Sequence, residues 1–173
     1  MQLAQIGWRM SAVCIICFLL TVLPAGAQKP PQDHSQIYKQ AVALVEQAEK
    51  KLAGNYTAEA KALVKEANSL FGILVKELPE QLKERQLTLK QDEQYNINQK
   101  MAADSSAQGE RMEKSAQEKQ RQSETLDAQG QKEAAIKLQQ EAVREFNLAN
   151  KAYLRAQIYH LKNLQQVYSF LYR

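Results

Sequence analysis

The chain has 173 residues, of which 24% are charged, and its formal net charge at pH 7 is +4. Basic and acidic residues are interspersed rather than clustered, which excludes the basic surface typical of a nucleic-acid-binding protein. Gln, Lys, Glu and Ala dominate, while β-branched residues are few. This composition predicts an all-α fold, and the length fits one domain.

The N-terminal segment has the form of a secretory signal peptide. A leader whose only charge is Arg9 precedes an apolar stretch from Ser11 to Leu23. The alternative is a transmembrane anchor, but an apolar run of about 13 residues is too short to cross a bilayer of about 30 Å. We therefore predict a signal peptide over residues 1–27, and a periplasmic or secreted mature protein without a transmembrane span. The predicted cleavage site consists of Ala25, Ala27 and Gln28.

Both cysteines lie inside the predicted signal peptide. Cys14 and Cys17 form a Cys-x-x-Cys pair, a spacing that can indicate a redox or metal site. Because both would leave with the signal peptide, the mature chain would have no disulfide and no thiolate metal site. Loss of Arg9 would also lower the net charge by one.

The mature chain begins with a segment over residues 28–34 that we predict to be flexible. Asp33, followed by Gln36, has the form of a capping box, and a helical stripe of apolar residues follows it. We predict a first helix from Ser35 to Ala53. Gly54 and Asn55 then form a stop signal, because both residues tolerate left-handed backbone geometry.

A second helix is predicted to start at Thr57, as its N-cap, and Pro79 either ends it or kinks it into the next segment. Its apolar residues recur at steps of three and four, and it is the most apolar helix of the mature chain. The short link from Gly54 to Tyr56 makes the first two helices an antiparallel hairpin.

The next segment has helical propensity but few apolar residues. Residues from Leu82 to Met101 could cover a core, whereas the stretch from Asp104 to Gly109 is the weakest helical part and predicts a break or a bend. Gly130 marks the following turn. The polar stretch after Glu110 predicts either a solvated helix or partial disorder.

The longest helical pattern runs from Gln131 to Tyr172 and would measure about 60 Å. We predict an antiparallel bundle of about four helices over residues 35–173, two short and then two long, in which the long pair forms a protruding polar hairpin around Ala102 to Gln131. The apolar stripe of the last helix consists of Ala135, Leu138, Ala142, Phe146, Ala149, Tyr153, Ala156, His160 or Leu161, Leu164, Val167 and Leu171.

Candidate catalytic, cofactor and metal sites are absent from the sequence pattern. The mature chain has only two histidines, His34 and His160, and no Glu-x-x-His pair. Its serines and threonines lack the glycine-flanked setting of a nucleophile elbow, and its glycines stand alone rather than in a phosphate-binding loop. We therefore predict a protein without enzymatic activity, cofactor or metal.

Aromatic residues crowd the C-terminal half of the last predicted helix. They could form a recognition surface for a partner, or they could fill the core and its rim. The candidate surface consists of Tyr153, Tyr159, Tyr168, Phe170 and Tyr172.

Two stretches resemble known families. Leu87-Thr88-Leu89-Lys90-Gln91 is similar to the Leu-Thr-x-x-Gln signature of the Spy-like periplasmic chaperones, which implies a client-binding surface of amphipathic helices that works without ATP. The same residues also fit a capping box with Thr88 as N-cap and Gln91 at the third helical position. A second set resembles the helical hairpins of tetratricopeptide repeats: Gly130, Ala135, Ile136, Leu138 and Ala142, with a looser copy at Gly54, Asn55, Tyr56, Ala60 and Ala67.

Together these patterns predict an exported, non-enzymatic helical protein that binds a protein or a cell-envelope component. The alternatives are a chaperone or stress protein of the Spy-like type, which should expose a continuous apolar patch, and a coiled-coil spacer. The spacer would need a sustained heptad seam between Glu110 and Phe146, where Leu is scarce. Homo-oligomerisation is left open by the sequence, and nucleic acid is not an expected partner.

Overall fold

The computed structural model describes residues 33–79 and 87–172, which form α-helices and one short 3-10 helix. No strand occurs within these residues, and the predicted all-α bundle, with two short helices followed by two long ones, is confirmed. The predicted signal peptide, its cleavage-site residues Ala25, Ala27 and Gln28, and the mature N-terminus up to Gln32 lie outside the described residues. The elements are α1 (His34–Ala53), α2 (Thr57–Glu77), α3 (Leu89–Ala128), α4 (Lys132–Val167) and the 3-10 helix Ser169–Tyr172.

Helix α1 begins and ends where its local sequence predicts. The Asp33 carboxylate accepts hydrogen bonds from the backbone N–H groups of Ser35, at 3.0 Å, and Gln36, at 3.3 Å. After Ala53 the left-handed conformation is taken by Asn55, with φ of 66°, and not by Gly54. The Asn55 side chain also accepts a hydrogen bond of 2.6 Å from Lys151 Nζ, which ties the α1–α2 turn to the middle of α4.

The ends of α2 agree with the sequence only in part. Thr57 is the first helical residue and not the N-cap, a position that Tyr56 occupies without a side-chain hydrogen bond. The predicted Thr57 cap is therefore wrong, because α2 starts one residue earlier than a capping threonine would allow. The helix ends at Glu77, two residues before Pro79, as expected for the position that precedes a proline.

The apolar core is formed by α1, α2 and the C-terminal half of α4. Its largest fully buried side chains are Tyr168, Phe71, Leu74 and Val45. Tyr38 packs edge-on against Phe71, with ring centroids 6.4 Å apart. The 3-10 helix closes one end of this core, where Phe170 and Leu171 pack against it.

Helix α3 packs along α4 and makes at most marginal contact with α1 or α2. Among the described residues it adds no side chain to the apolar core: Leu89 is 91% exposed, and Ile97 and Met101 are exposed as well. The expectation that the stretch from Leu82 to Met101 helps to cover that core is therefore wrong for its described part, while Leu82 itself lies outside it. The reason is that α1 and α2 already cover the apolar face of α4, and α3 packs on a different face.

Small residues form the seam between α3 and α4, and they repeat every seven positions. All eight residues of this repeat are buried. A seven-residue repeat keeps one stripe of each helix facing its partner, as in a coiled coil, and small side chains let the two backbones approach closely. The sustained heptad seam is thus present, built from Ala, Gly and Ser rather than Leu. Its members are Ala102, Gly109, Ala116 and Ser123 of α3, and Ala135, Ala142, Ala149 and Ala156 of α4.

Helix α3 is unbroken through the stretch from Asp104 to Gly109, where the sequence predicted a break or a bend. Gly109 lies on the seam beneath the Tyr153 ring, and a Cβ atom added there would be 2.7 Å from Tyr153 Cε1. The weak helix former is therefore required by the close approach of α4, and packing overrides local propensity.

Beyond the α1–α2 turn, α3 and α4 continue as a two-helix arm, which we define as residues 110–147. The arm ends in a turn at Gly130, whose φ of +81° favours glycine. Its antiparallel register is fixed where Ser123 Oγ donates a 2.9 Å hydrogen bond to the Ala135 carbonyl. The predicted protruding polar hairpin is confirmed. No helix within the described ranges combines the length and the hydropathy needed to cross a membrane.

Candidate binding site

The five aromatic residues singled out in the sequence do not lie on one surface. Tyr168 is fully buried in the core, and the half-buried Phe170 packs beside it with ring centroids 6.3 Å apart. Tyr172 is 66% exposed at the opposite edge of the 3-10 helix, next to Tyr38. The arrangement resembles core filling with a polar rim, and the binding role of these residues stays a prediction.

Tyr153 is held between α3 and α4 rather than presented to solvent. Its ring covers Gly109, and its hydroxyl donates a 2.6 Å hydrogen bond to Glu113 Oε2. This hydrogen bond, together with desolvation and the negative charges of Glu113 and Glu110, raises the pKa of Tyr153 to about 12. Tyr159 is half-buried on the other side of α4, with Lys162 Nζ 5.9 Å from its ring centroid.

The histidines do not build a metal site with their neighbours. His34 Nε2 lies 2.8 Å from Glu77 Oε2, an exposed contact that links the start of α1 to the end of α2. His160 is exposed and borders a cleft beside α2. Within the described part of the chain, no three His, Cys, Asp or Glu residues lie close enough together to hold a metal ion.

A groove of about 510 Å³ runs along one side of the arm, and it was not anticipated from the sequence. Its floor is the seam itself, and one wall belongs to each long helix. On the α4 wall, Ile136 and Val143 are both 54% exposed, although the floor beside them is buried. The groove is lined by Gln120, Ser123, Glu124 and Asp127 of α3, and by Ala135, Ile136, Gln139, Ala142, Val143 and Phe146 of α4.

The α3 wall of the arm is acidic. Starting from Glu110, residues at helical steps of three and four follow this side of the seam, and every one is an acid or an amide. Gln120 Nε2 donates a 3.3 Å hydrogen bond to Glu124 Oε1, while no described basic residue pairs with Glu124 or Asp127. Of this row, Gln120, Glu124 and Asp127 line the groove, and Glu110, Glu113 and Gln117 continue the row along α3 beyond it.

The two helices of the arm are tied together on the seam by a charged cluster. Lys119 Nζ lies 2.7 Å from Glu145 Oε1 and 3.0 Å from Glu141 Oε2. Hydrogen bonds to Glu145 and Glu141 raise the pKa of Lys119, and the hydrogen bond from Lys119 lowers the pKa of Glu145. This cluster bridges α3 and α4 within the arm, and its three side chains lie outside the groove lining.

One turn further along α4, the groove opens into a second cleft of about 730 Å³. This cleft is bordered by the first turn of α2, at Thr57 and Ala58, and by Ser106 of α3. Its α4 side carries Asn147, Asn150 and Tyr153. The groove side of the arm therefore leads directly to the start of α2.

A signal for the groove exists in the sequence. Ile136 and Val143 each follow a seam alanine by one position and lie seven residues apart, so they share one side of α4 next to the seam. The predicted stripe contains Ala135 and Ala142 but not these two larger residues. An aliphatic pair beside a stripe of alanines indicates a second, weaker apolar face.

Comparison of the chain with protein-family models, with curated proteins and with solved structures finds no match. The resemblances to Spy-like chaperones and to tetratricopeptide hairpins therefore rest on the residues that carry them. In the structure, Thr88 and Gln91 do form a capping box: the Thr88 hydroxyl accepts from the Gln91 N–H, and the Gln91 side chain accepts from the Thr88 N–H at 3.1 Å.

Proposed function

We propose that the protein is an exported, non-enzymatic helical protein that acts by binding a protein or cell-envelope partner along the groove of its arm. The observation that carries this proposal is the half-exposed pair Ile136 and Val143, which forms an apolar wall above a floor that is already packed. Aliphatic side chains left uncovered beside a preformed groove favour association, because covering them removes apolar surface from water.

The arm supports this role by its rigidity. The seam of small residues and the Lys119 cluster hold α3 and α4 in one register, so the groove exists before a partner arrives. A preformed site loses less conformational entropy on binding than a flexible one does.

Site-specific photo-crosslinking tests the proposal. A photoreactive residue placed at Val143 of the full-length chain should give discrete cross-linked products in cells of the source organism. The same residue at Val75, which is 38% exposed on α2 and away from the groove, serves as the matched control. Identical products at both positions, or no product at Val143, would contradict the proposal.

A Spy-like chaperone remains the second candidate, and its own test separates it from groove binding. Exposed large apolar side chains of the described residues are spread over α2, α3 and α4 rather than gathered in one patch. A chaperone should nevertheless suppress aggregation of a denatured client at substoichiometric amounts and bind a dye for exposed apolar surface. A groove binder should do neither.

The coiled-coil spacer gains support from the heptad seam of α3 and α4. A spacer depends on the length of the arm, whereas a groove binder depends on the side chains of its walls. Deleting seven residues from each helix of the arm, with the seam kept in phase, would impair a spacer. Replacing Ile136 and Val143 by Ser would impair a groove binder.

A further inference from the structure

We propose that the occupant of the groove is a cationic amphipathic helix of a partner protein. It would lie along the arm with its apolar side chains on the α4 wall and its Lys or Arg side chains on the α3 wall. This inference rests on the proposed function, because it names the chemistry of the partner that the groove would bind.

The spacing of the apolar wall fits a helix. Ile136 and Val143 lie two turns apart on one face of α4, and Phe146 lies on the next turn, half-buried in the same groove. A partner helix can place its own residues i, i+3 or i+4 and i+7 between them, as in ridges-into-grooves packing. An extended strand would gain less, since the helical walls offer no free backbone edge with which it could pair.

The groove also continues an interface that already exists within the molecule. Counting by sevens from Val143 along α4 leads through Asn150 to Gln157 and Leu164, and the last two line a cleft against Val64 of α2. Leu164 packs against the apolar core. The face of α4 on which α2 packs near the core is thus uncovered along the arm. A partner helix bound there would lie roughly in line with α2, beyond its first residue Thr57.

The negative charge of the α3 wall favours a partner that carries positive charge. Between Glu110 and Asp127 this wall presents only acids and amides, and no described base pairs with Glu124 or Asp127. The basic residues Lys114 and Arg121 of α3 border this wall on its outer side, and neither forms an ion pair with Glu124 or Asp127. An acidic partner would be repelled. Lys or Arg side chains would place their charges on the acidic wall and their apolar stems over the groove.

The test uses the mature full-length protein and two fluorescent helical peptides of about 18 residues. Each peptide, about 27 Å long as a helix, is longer than the α4 wall from Ala135 to Phe146, which measures about 17 Å. Both peptides carry the same apolar stripe, flanked in one by Lys and in the other by Glu. We expect the Lys-flanked peptide to bind, with affinity falling as salt rises. The pair E124Q and D127N should weaken it about fivefold, and V143N about tenfold.

Matched controls separate the groove from general charge and hydrophobicity. The pair D104N and E118Q removes the same charge from exposed positions of α3 that do not line the groove. V75N places the same polar side chain on an exposed position of α2. Neither control should change the affinity of the Lys-flanked peptide, and circular dichroism should show all variants to be equally helical.

Three outcomes would overturn the inference. The first is equal or tighter binding of the Glu-flanked peptide, and the second is binding of the Lys-flanked peptide with an affinity that neither groove variant changes. The third is that neither peptide binds. If crosslinking at Val143 still captures a partner, groove binding stands while its cationic helical occupant does not. If that crosslinking also fails, the proposed function is wrong.

Discussion

At the scale of single residues, Tyr168 is the core residue whose burial is energetically least favourable. Its side chain is completely buried, its hydroxyl has no hydrogen-bond partner, and burial raises its pKa. A buried polar group without a partner has lost its hydrogen bonds to water and gained none in return.

Replacing Tyr168 by Phe should therefore stabilise the protein by about 1 kcal/mol, because it removes the unpaired hydroxyl while keeping the ring. Urea unfolding followed by circular dichroism measures the change. Tyr38→Phe is the control, since the Tyr38 hydroxyl donates a 3.0 Å hydrogen bond to the Gln165 carbonyl and its loss should destabilise the fold. A less stable Tyr168→Phe variant would contradict this account.

Tyr153 gives the arm a dependence on alkaline pH. Its folded pKa of about 12 lies above the ordinary tyrosine pKa of about 10, chiefly because of its hydrogen bond to Glu113. Above the unfolded pKa the unfolded chain binds fewer protons than the folded chain, so stability falls as pH rises. The stabilisation is fully present below about pH 10 and is lost by about pH 12.

Ultraviolet absorbance titration of tyrosinate should show a late-titrating group that disappears in Tyr153→Phe, beside Tyr168, whose pKa is raised by burial. Glu113→Gln should move that group toward its ordinary pKa, because the replacement removes the charge and the strong acceptor. The hydrogen bond between Tyr153 and Glu113 does not form in solution if Tyr153→Phe removes a group that titrates at the ordinary tyrosine pKa and Glu113→Gln leaves the curve unchanged.

The sequence predicted one helix that runs to Tyr172 and carries all five aromatic residues, but α4 ends at Val167 and carries only Tyr153 and Tyr159. Phe170 and Tyr172 belong to the 3-10 helix, and the pattern could not assign any of the five to the core or the surface. Tyr168 is buried because the chain leaves α4 after Val167 and turns into the 3-10 helix, which wraps this ring beneath α1. A helical pattern alone carries no information about such a turn. Tyr153 is held by Gly109, a residue more than 40 positions away in the sequence.

At the scale of helices, the seam between α3 and α4 should not tolerate larger side chains. Ala149 is 2% exposed and sits between the two backbones. Ala149→Leu should destabilise the protein by about 1–3 kcal/mol, because the added atoms force the helices apart. Ala134→Leu, at an exposed position of the same helix, should change stability by less than about 0.5 kcal/mol. Thermal unfolding of both variants checks this, and equal effects would contradict the close-packed seam.

The long helices could be predicted from the sequence, but the nature of their contact could not. Leu content is a poor guide when two backbones approach closely, because alanine then becomes the residue that fits. The repeat of Ala135, Ala142, Ala149 and Ala156 was visible in the sequence, and its period of seven is the signal that indicates an intramolecular coiled coil.

At the scale of the whole molecule, stability should be distributed unevenly. Large apolar side chains are concentrated among α1, α2 and the C-terminal half of α4, whereas the arm buries mainly small residues. Hydrogen exchange should therefore be at least about tenfold slower for amides at 60–74 in α2 than for those at 113–125 in α3. Mass spectrometry of exchanged peptides measures both regions in one experiment. Equal protection would mean that the arm and the core unfold as one unit.

The bundle and its polar hairpin followed from composition and periodicity, yet the separation of α3 from α1 and α2 did not. Scattered residues such as Leu89, Ile97 and Met101 suggest a buried face when read as a stripe. The apolar surface of α4 is limited, however, and residues of α1 and α2 with larger side chains occupy it. Which helices pack on this face of α4 depends on all the helices of the assembled molecule, and the periodicity of each segment does not indicate it.

Helix α4 follows the other three along the chain, and all of them pack on it. During synthesis α1, α2 and α3 are therefore made before the helix on which they assemble. Until α4 is complete, the apolar faces of α1 and α2 and the small-residue stripe of α3 lack their common partner. A chain that stops before α4 would thus be aggregation-prone and protease-sensitive, and would not fold as a smaller version of the same protein.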